Sequence, residues 1–470
     1  MKPRTTSSLL SAAGFLVAVL AVSPTLWHAT AAQPPQIKIQ GPAEAPNVAV
    51  TDFRATGAGQ QFIATFNATV QADLQSSPLV KLVPKTQYPL QVPQTPTDLL
   101  TTPAPNNGQP INPNGLRLTD WGLPPVSANF LGFGYGAEQN GQLVVFGYFY
   151  SASTTIATLQ QAQILAKPYI GTLDEDGARR LGHQYAADIL AQFGGKSLIG
   201  SRIIFVSDRT GNKEIWSMSY DGTDQHQITH YSTISNFPSV SADGKKLAFT
   251  TWLHGQPEIV LLSLETNRRL PFYNQHASMN AFVDFFPDGQ HVMFSSTVSG
   301  GPAQLYSANV DGGDLHRITS SNAIAVEPKI NPKTGADVVF VSGRSGLPQI
   351  YKMNIDGADI QRLTNGEGEA TNPAWAPNGA QIAFAWTKGF EPGNYNIFIM
   401  DVTSRNIVQL TSNEGRNENP SWAPDNAHIA YASKRGKITQ IWVMLANGTG
   451  KQQLTTQGNN EKPVWIPAIQ

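Results

Sequence analysis

The chain has 470 residues, which is long enough for two or three domains with a sizeable core. Its 32 basic and 33 acidic residues give a net charge of −1 without basic runs, which argues against nucleic acid as a main partner. The chain has no cysteine, which excludes disulfides, thiol nucleophiles, thiolate metal sites and lipid attachment at a bacterial signal.

The N-terminus has the three parts of a secretory signal peptide. Lys2 and Arg4 form a basic region, residues 9–22 are apolar, and small residues around Ala31 offer a cleavage site. A membrane anchor is the alternative, but the apolar run is short for a span, and no later run of 18 apolar residues exists. The sequence therefore predicts a signal peptide over 1–32 and an exported mature chain without a transmembrane segment.

Residues 33–50 are Pro-rich and lack periodicity, which predicts a flexible N-terminal arm. An ordered edge strand around residues 37–39 is the alternative. Of this arm, the residues predicted to contact a partner are Gln33, Pro34, Pro35, Gln36, Ile37, Lys38 and Ile39.

Residues 51–197 mix helix and strand patterns. Apolar residues recur every four positions at 62, 66, 70 and 74, and again at 181, 185, 189 and 193, so two helices are expected. The second should run from about Asp174 to Phe193, where two glycines end it. Residues 141–150 read as a strand, and the Pro/Asn/Gly-rich residues 95–120 as a long loop. The sequence predicts a small α/β domain here.

From residue 198 the helical pattern gives way to repeats. An aromatic residue closes an apolar run every 44 to 47 residues, at Phe205, Phe249, Phe294, Phe340, Phe384 and Tyr431. Each repeat has an apolar strand B (IIFVS), an alternating strand C ending in Asp-Gly or Asn-Gly (EIWSMSYDG), a polar strand D (HQIT) and a strand A (NPAWAPNG). This period without helices is typical of propeller blades.

The repeats begin at a strand B and end at a lone strand A, residues 462–467. Pairing this last strand with the first strand B completes six four-stranded blades and removes unpaired edges. The sequence therefore predicts an all-β six-bladed β-propeller over 198–470, closed by the C-terminal strand. An open β-solenoid is the alternative.

No catalytic, metal or cofactor site is predicted. GRSG at 343–346 lacks the final glycine of a nucleophile elbow, and FGGKS at 193–197 lacks the first glycine of a phosphate-binding loop. His226 and His316 lie on outer strand D, and His291 and His428 begin strand B. Only His276 is near an inner strand, so the histidines do not converge as metal ligands would.

The copies of strand A differ where the strand begins, whereas purely structural positions of a repeat tend to be alike. Strand A lies innermost in a propeller, so its first residues should ring one mouth of the channel. Solvated loop tips are the alternative to a partner-facing rim. The predicted rim comprises the residue before the strand A proline and its neighbours: Asn236, Phe237, His276, Glu327, Asn372, Asn417, Glu418, Asn419 and Lys462.

The chain resembles the TolB family of the Tol–Pal system. The resemblance is carried by the signal peptide, the small α/β domain, the repeats, ATVQADLQSSPLVKLV (68–83) and the junction ARRLGHQYAADILAQFGGKSLIGSRIIFVSDR (178–209). It covers most of the mature chain, and the junction and domain order are its more specific parts. The second repeat departs from the pattern, with Glu265-Thr266 in place of Asp-Gly and no strand A proline.

The resemblance implies a periplasmic, non-catalytic adaptor, monomeric within a complex. It implies binding of the peptidoglycan-associated lipoprotein through the propeller mouth and of the TolA-like inner-membrane protein through the arm. The implied roles are outer-membrane integrity, cell division and protein import. The alternative is a secreted propeller enzyme, either a polysaccharide lyase or a glycan hydrolase, which would need paired carboxylates or converging histidines at the channel.

Overall fold

The computed structural model describes residues 45–100, 115–153, 158–388 and 393–468. The predicted signal peptide and arm residues 33–44, with the seven predicted arm contacts, lie outside the described residues. So do residues 101–114 of the predicted long loop.

The N-terminal domain is one mixed sheet with helices on its faces. The strand order is β3-β1-β4-β5-β6, with β2 paired to β4. The strands are β1 (Asn47–Val50), β2 (Arg54–Thr56), β3 (Lys81–Leu82), β4 (Phe130–Gln139), β5 (Gln142–Ser151) and β6 (Gln163–Thr172). The helices are α1 (Ile63–Ser76), α2 (Leu118–Gly122), α3 (Leu159–Ala162) and α4 (Glu175–Ala191), with 3-10 turns at Gly57–Gln61, Lys85–Gln87 and Pro96–Asp98.

Helices α1 and α4 bury the apolar stripes that the sequence showed. Phe66, Val70 and Leu74 of α1 are buried in the same core cluster as Leu181 and Tyr185 of α4. Asp174 caps α4 by accepting a hydrogen bond from the N–H of Gly177 at 2.6 Å, which satisfies a backbone donor that the helix itself cannot pair. Both predicted helices are confirmed.

Two predictions fail in this domain. Residues 47–50 were assigned to the flexible arm, yet they form β1, which pairs in parallel with both β3 and β4. Val48 and Ala49 are fully buried, so apolar burial and hydrogen bonds on two sides hold this segment in the sheet. The predicted loop over 95–120 also ends too late, because α2 begins at Leu118 and buries Trp121.

The second part of the chain forms six antiparallel sheets of four strands each, one per blade. The blades are numbered in chain order. Blade 1 is β7 (Arg202–Ser207), β8 (Glu214–Ser219) and β9 (His226–Gln227) with the final strand β30 (Asn460–Ile466); blade 2 is β10 (Ser235–Val240), β11 (Lys246–Thr251), β12 (Glu258–Ser263) and β13 (Arg269–Leu270); blade 3 is β14 (Asn280–Phe285), β15 (His291–Ser296), β16 (Gln304–Asn309) and β17 (His316–Arg317); blade 4 is β18 (Ala325–Ile330), β19 (Asp337–Ser342), β20 (Gln349–Asn354) and β21 (Gln361–Arg362); blade 5 is β22 (Ala370–Trp375), β23 (Gln381–Trp386), β24 (Asn396–Asp401) and β25 (Ile407–Gln409); blade 6 is β26 (Arg416–Trp422), β27 (His428–Arg435), β28 (Ile438–Leu445) and β29 (Gln452–Gln453).

The C-terminal strand closes the ring as predicted. β30 is the inner strand of blade 1 and pairs antiparallel with β7, with Trp465 opposite Ile203. Trp465 is 7% exposed and packs in a cluster with Ile203 and Phe205. The last strand of the chain thus completes a sheet that began about 260 residues earlier, so the six-bladed fold is confirmed.

A buried hydrogen-bond pattern explains the repeated Ile-Thr or Leu-Thr after strand D. In blade 4 the hydroxyl of Thr364 donates to Oε1 of Gln349 at 2.8 Å and accepts from the N–H of Ile350 at 3.0 Å. This pairing satisfies groups that would be costly to bury alone. The corresponding pairs in blades 1, 3, 5 and 6 are Thr229–Glu214, Thr319–Gln304, Thr411–Asn396 and Thr455–Gln440. Blade 2 uses Asn274, which bonds both backbone groups of Ile259.

Candidate functional site

Six side chains ring one mouth of the propeller channel, one from each inner strand. They are, from blade 1 to blade 6, Lys462, Phe237, Phe282, Glu327, Asn372 and Asn419. Each sits at a register shift between the inner strand and its neighbour, which is a β-bulge. We call this set the mouth ring.

The mouth ring is strained in the same way in all six blades. Each of its residues has a positive φ, between 52° and 57°. Asn adopts this conformation at modest cost, whereas Phe, Glu and Lys do so less readily. Bulges and such backbone outliers occur preferentially at functional sites, where they aim side chains that regular strands would direct elsewhere. The bulges therefore mark this mouth as the candidate site.

Neighbouring members of the mouth ring touch one another. Nζ of Lys462 lies 4.5 Å from the ring centroid of Phe237, whose ring lies 4.2 Å from that of Phe282. On the other side of the mouth, the backbone N–H of Asn372 donates to Oε2 of Glu327 in the neighbouring blade at 2.9 Å. The ring therefore has an aromatic arc (Phe237 and Phe282) and an amide arc (Asn372 and Asn419). Lys462 of blade 1 and Glu327 of blade 4 lie on opposite sides, between the two arcs.

Behind the mouth ring lies a channel of about 490 Å³. Its walls are mainly the apolar residues of the inner strands, and prolines such as Pro332 and Pro377 line it near the opposite mouth. Inside it, Asp284 accepts from Nζ of Lys329 at 2.9 Å and from the hydroxyl of Ser239 at 3.0 Å. No group of three or more His, Asp or Glu side chains suited to a metal ion occurs among the described residues.

The structure brings together five of the nine predicted rim residues: Phe237, Glu327, Asn372, Asn419 and Lys462. Their contact with a partner stays a prediction. It also adds Phe282, which the requirement for a following proline had excluded. Phe282 lies 45 residues after Phe237 and 45 before Glu327, so the repeat spacing alone would have found it.

Two predicted rim residues are almost fully buried and do not belong to the mouth ring. Asn417 is fully buried, and its Nδ2 donates to the carbonyl of Gly415 at 3.0 Å. Asn236 is 8% exposed, and its Oδ1 accepts from the N–H of Phe237 at 2.8 Å. Both amides hydrogen-bond to the local backbone, and Asn236 also lines a pocket beside Phe237.

The other two predicted rim residues lie outside the mouth ring. Glu418 forms an ion pair with Arg416 at 2.5 Å. His276 is exposed in the loop before β14 and is not among the residues that line the channel.

A second polar cluster joins the N-terminal domain to the propeller. His183 of α4 places Nδ1 2.7 Å from Oδ2 of Asp73 in α1, and Nε2 3.4 Å from Oδ2 of Asp221 in the turn after β8. The Tyr220 hydroxyl lies 2.5 Å from the same Nδ1. The His183 side chain is only 11% exposed, so a buried imidazole bridges carboxylates of both domains.

The two carboxylates keep this imidazole protonated. Burial alone would lower the pKa of His183, but hydrogen bonds to Asp221 and Asp73 raise it to about 9. Burial likewise opposes ionisation of Asp221, yet the hydrogen bonds from His183 and Thr223 lower its pKa to about 2. At neutral pH the cluster is therefore a charged bridge.

We expect this bridge to make stability depend on pH. Because the pKa of His183 is raised by folding, its contribution is fully present below pH 6.5 and is lost as pH rises through 9. The loss should be on the order of 2–3 kcal/mol. Thermal unfolding between pH 6.5 and 10 should show this loss in the wild type and not in His183→Gln. The exposed His316→Gln serves as the control, and an equal loss in all three would contradict the bridge.

The fold and the site define a two-domain β-propeller protein whose six blades are topped by a ring of dissimilar side chains. A family model described as the TolB β-propeller domain matches residues 192–389 and 363–469, more than half of the chain. The chain belongs to the TolB family, and this places it with a non-enzyme family rather than with propeller enzymes.

Curated relatives and a solved structure agree with this assignment. The chain is 31% identical over 249 residues to "Protein TolB homolog" of Chlorobium luteolum, covering 52% of the chain and 54% of the relative. It is 34% identical over 163 residues to "Tol-Pal system protein TolB" of Desulfosudis oleivorans, covering 34% and 36%. The chain thus spans about half or less of the length of these relatives. The crystal structure of TolB from Acinetobacter baumannii, at 20% identity, superposes with a TM-score of 0.68 over 91% of this chain and 98% of that one, which shows the shared fold.

Among the described residues, none of the helices is both long enough and apolar enough to cross a bilayer.

Proposed function

We propose that the chain is a periplasmic adaptor of the Tol–Pal system that binds the peptidoglycan-associated lipoprotein through the mouth ring. The observation that carries the proposal is the mouth ring itself: side chains of four kinds (Lys, Phe, Glu and Asn) on six equivalently strained bulges. Closure of the propeller alone does not require a strained backbone at that position in every blade. A relative named as a Tol–Pal system protein supports the choice of system.

Apolar surface beside the mouth ring supports a protein partner. Ile234, in the loop before β10, is 42% exposed, and Leu253, in the loop after β11, is 36% exposed. Both loops are at the same end of blade 2 as Phe237. Exposed apolar side chains that lie together with aromatic residues are typical of protein interfaces.

The proposed division of the chain follows from the same assignment. A signal peptide over 1–32 directs export, and an arm from residue 33 to about 46 engages a TolA-like inner-membrane protein. The α/β domain, which begins with β1 at residue 47 and runs to about 197, connects this arm to the propeller over 198–470. In this arrangement the chain links two envelope proteins and so supports outer-membrane integrity, cell division and protein import.

The experiment is a pull-down from envelope extract with immobilised mature protein, with and without residues 33–46. The full mature chain should capture both a peptidoglycan-associated lipoprotein and a TolA-like protein. The shortened chain should capture only the lipoprotein, because the mouth ring is unchanged. Failure to capture the lipoprotein with either form would contradict the proposal, and retention of the TolA-like protein by the shortened chain would contradict the role of the arm.

A further inference from the structure

The mouth ring continues into an apolar side pocket above blade 2. This side pocket has a volume of about 330 Å³ and is lined by Lys213, Ile234, Asn236, Phe237, Trp252, Pro257, Met279, Ala281 and Phe282. It therefore shares Phe237 and Phe282 with the mouth ring. Apart from Lys213 and Asn236 its walls are apolar, and its volume is large enough to hold an apolar side chain.

Neither charge of the mouth ring is neutralised by an ion pair among the described residues. The Lys462 ammonium rests on the ring of Phe237, and the Glu327 carboxylate accepts only amide hydrogens from Asn372. Other charges nearby are matched: Lys213 pairs with Glu461 at 2.5 Å, and Lys329 with Asp284 at 2.9 Å. One positive and one negative group at the mouth can therefore pair with charged groups of a bound partner.

The order of these features around the mouth is directional. From blade 1 to blade 4, the mouth presents first the Lys462 ammonium, then the aromatic pair with its side pocket, and then the Glu327 carboxylate. A ligand that follows this arc meets a positive group, an apolar cavity and a negative group in that order. Complementary charge fixes the direction of a bound chain, and a filled apolar pocket supplies affinity.

We propose that the mouth binds an extended peptide segment of a protein partner with three side chains in register. An acidic side chain pairs with Lys462, an apolar one fills the side pocket, and a basic one pairs with Glu327. This inference rests on the proposed function, because it takes the mouth ring as the partner-binding surface. It adds the chemistry of the segment and its direction across the mouth.

The test uses a random dodecapeptide library displayed on phage and selected on the mature protein. Enriched peptides should share an acidic, an apolar and a basic residue in one order. Ile234→Asp, which puts a charge at the side pocket, should weaken them at least about tenfold, or 1.4 kcal/mol. Ile360→Asp is the matched control, because Ile360 is 40% exposed but lies before β21, at the opposite end of the propeller.

A charge exchange tests the direction independently of the side pocket. Lys462 and Glu327 have φ of 53° and 54° at equivalent positions, so Lys462→Glu with Glu327→Lys places each residue where its kind is already tolerated. Selection on this double variant should enrich peptides with the acidic and basic residues in reversed order. The inference would be overturned if no peptides were enriched or if the enriched peptides shared no pattern. It would also be overturned if the enriched peptides bound equally well to Ile234→Asp and to the charge-exchange variant.

Parallel capture of the lipoprotein separates this inference from the proposed function. If patterned peptides bind but the lipoprotein does not, the proposed partner is wrong and the inference stands. If the lipoprotein is captured by the wild type and the charge exchange weakens that capture, but no patterned peptides are enriched, the inference is overturned and the proposed function stands.

Discussion

Deletion of residues 462–470 should abolish cooperative unfolding of the propeller. The deletion removes most of β30, the inner strand of blade 1, and with it the pairing to β7. Trp465 and Ile466 are nearly fully buried, and burying each such side chain contributes about 1.5–3 kcal/mol. The inner strand of blade 1 also contacts both neighbouring blades, so its loss exposes an apolar seam as well as a strand edge.

The combined loss is on the order of 5 kcal/mol, comparable with the whole stability of many domains. Calorimetry should therefore show a broad, low-enthalpy transition. Deletion of residues 468–470 is the control, because β30 ends at Ile466 and remains intact. A deletion of 462–470 that melts like the full chain would show that the terminal strand does not close the ring.

Removing three polar side chains from the mouth ring should weaken lipoprotein capture without unfolding the protein. Glu327, Asn372 and Asn419 all have positive φ, so alanine would add backbone strain, whereas glycine adopts this conformation freely. The triple glycine variant loses the contacts of the amide arc and should bind between about 10 and 100 times more weakly. Its melting temperature should stay within a few degrees of the wild type.

A matched triple variant controls for the glycine substitutions. Asn267, Asp314 and Asp359 also have positive φ, and they lie in the turns between the third and fourth strands, at the end of the propeller opposite the mouth ring. Replacing all three with glycine should leave capture unchanged. Equal lipoprotein capture by both triple variants would show that Glu327, Asn372 and Asn419 do not belong to the binding surface.

The propeller was predictable because its information is local and repeated. The strands alternate, the hairpin turns carry glycine, and the copies align at a nearly constant spacing. Closure followed from counting strands, since an unpaired first strand B and an unpaired last strand A can satisfy one another.

Strand β4 lacks the alternation of apolar and polar side chains, because glycines occupy every second position from Gly132 to Gly136. A Cβ at Gly134 would lie 2.4 Å from the ring of Phe53, and one at Gly132 would lie 2.8 Å from the Tyr185 hydroxyl. These glycines make room for large side chains from elsewhere in the domain. Their spacing depends on tertiary packing, which alternation rules do not capture.

Five of the nine predicted rim residues lie in the mouth ring, and the other four do not. Alternation would place neighbours of a rim residue on the other face of the strand, and the bulges change which side chain faces the channel. Asn236 and Asn417 were predicted in the rim only as neighbours of the residue before the proline, and both bond to the local backbone instead.

The His183 bridge was equally hidden in the sequence. Its partners Asp73 and Asp221 lie 110 and 38 residues away, and only the packing of the two domains brings them together.

The central claim is that the mouth ring faces the lipoprotein, and site-specific photo-cross-linking in the intact envelope tests it most directly. A photoreactive amino acid at position 372 in the mouth ring should cross-link to the peptidoglycan-associated lipoprotein, and the same amino acid at position 360 should not. Cross-linking from position 360 but not from position 372 would contradict the account.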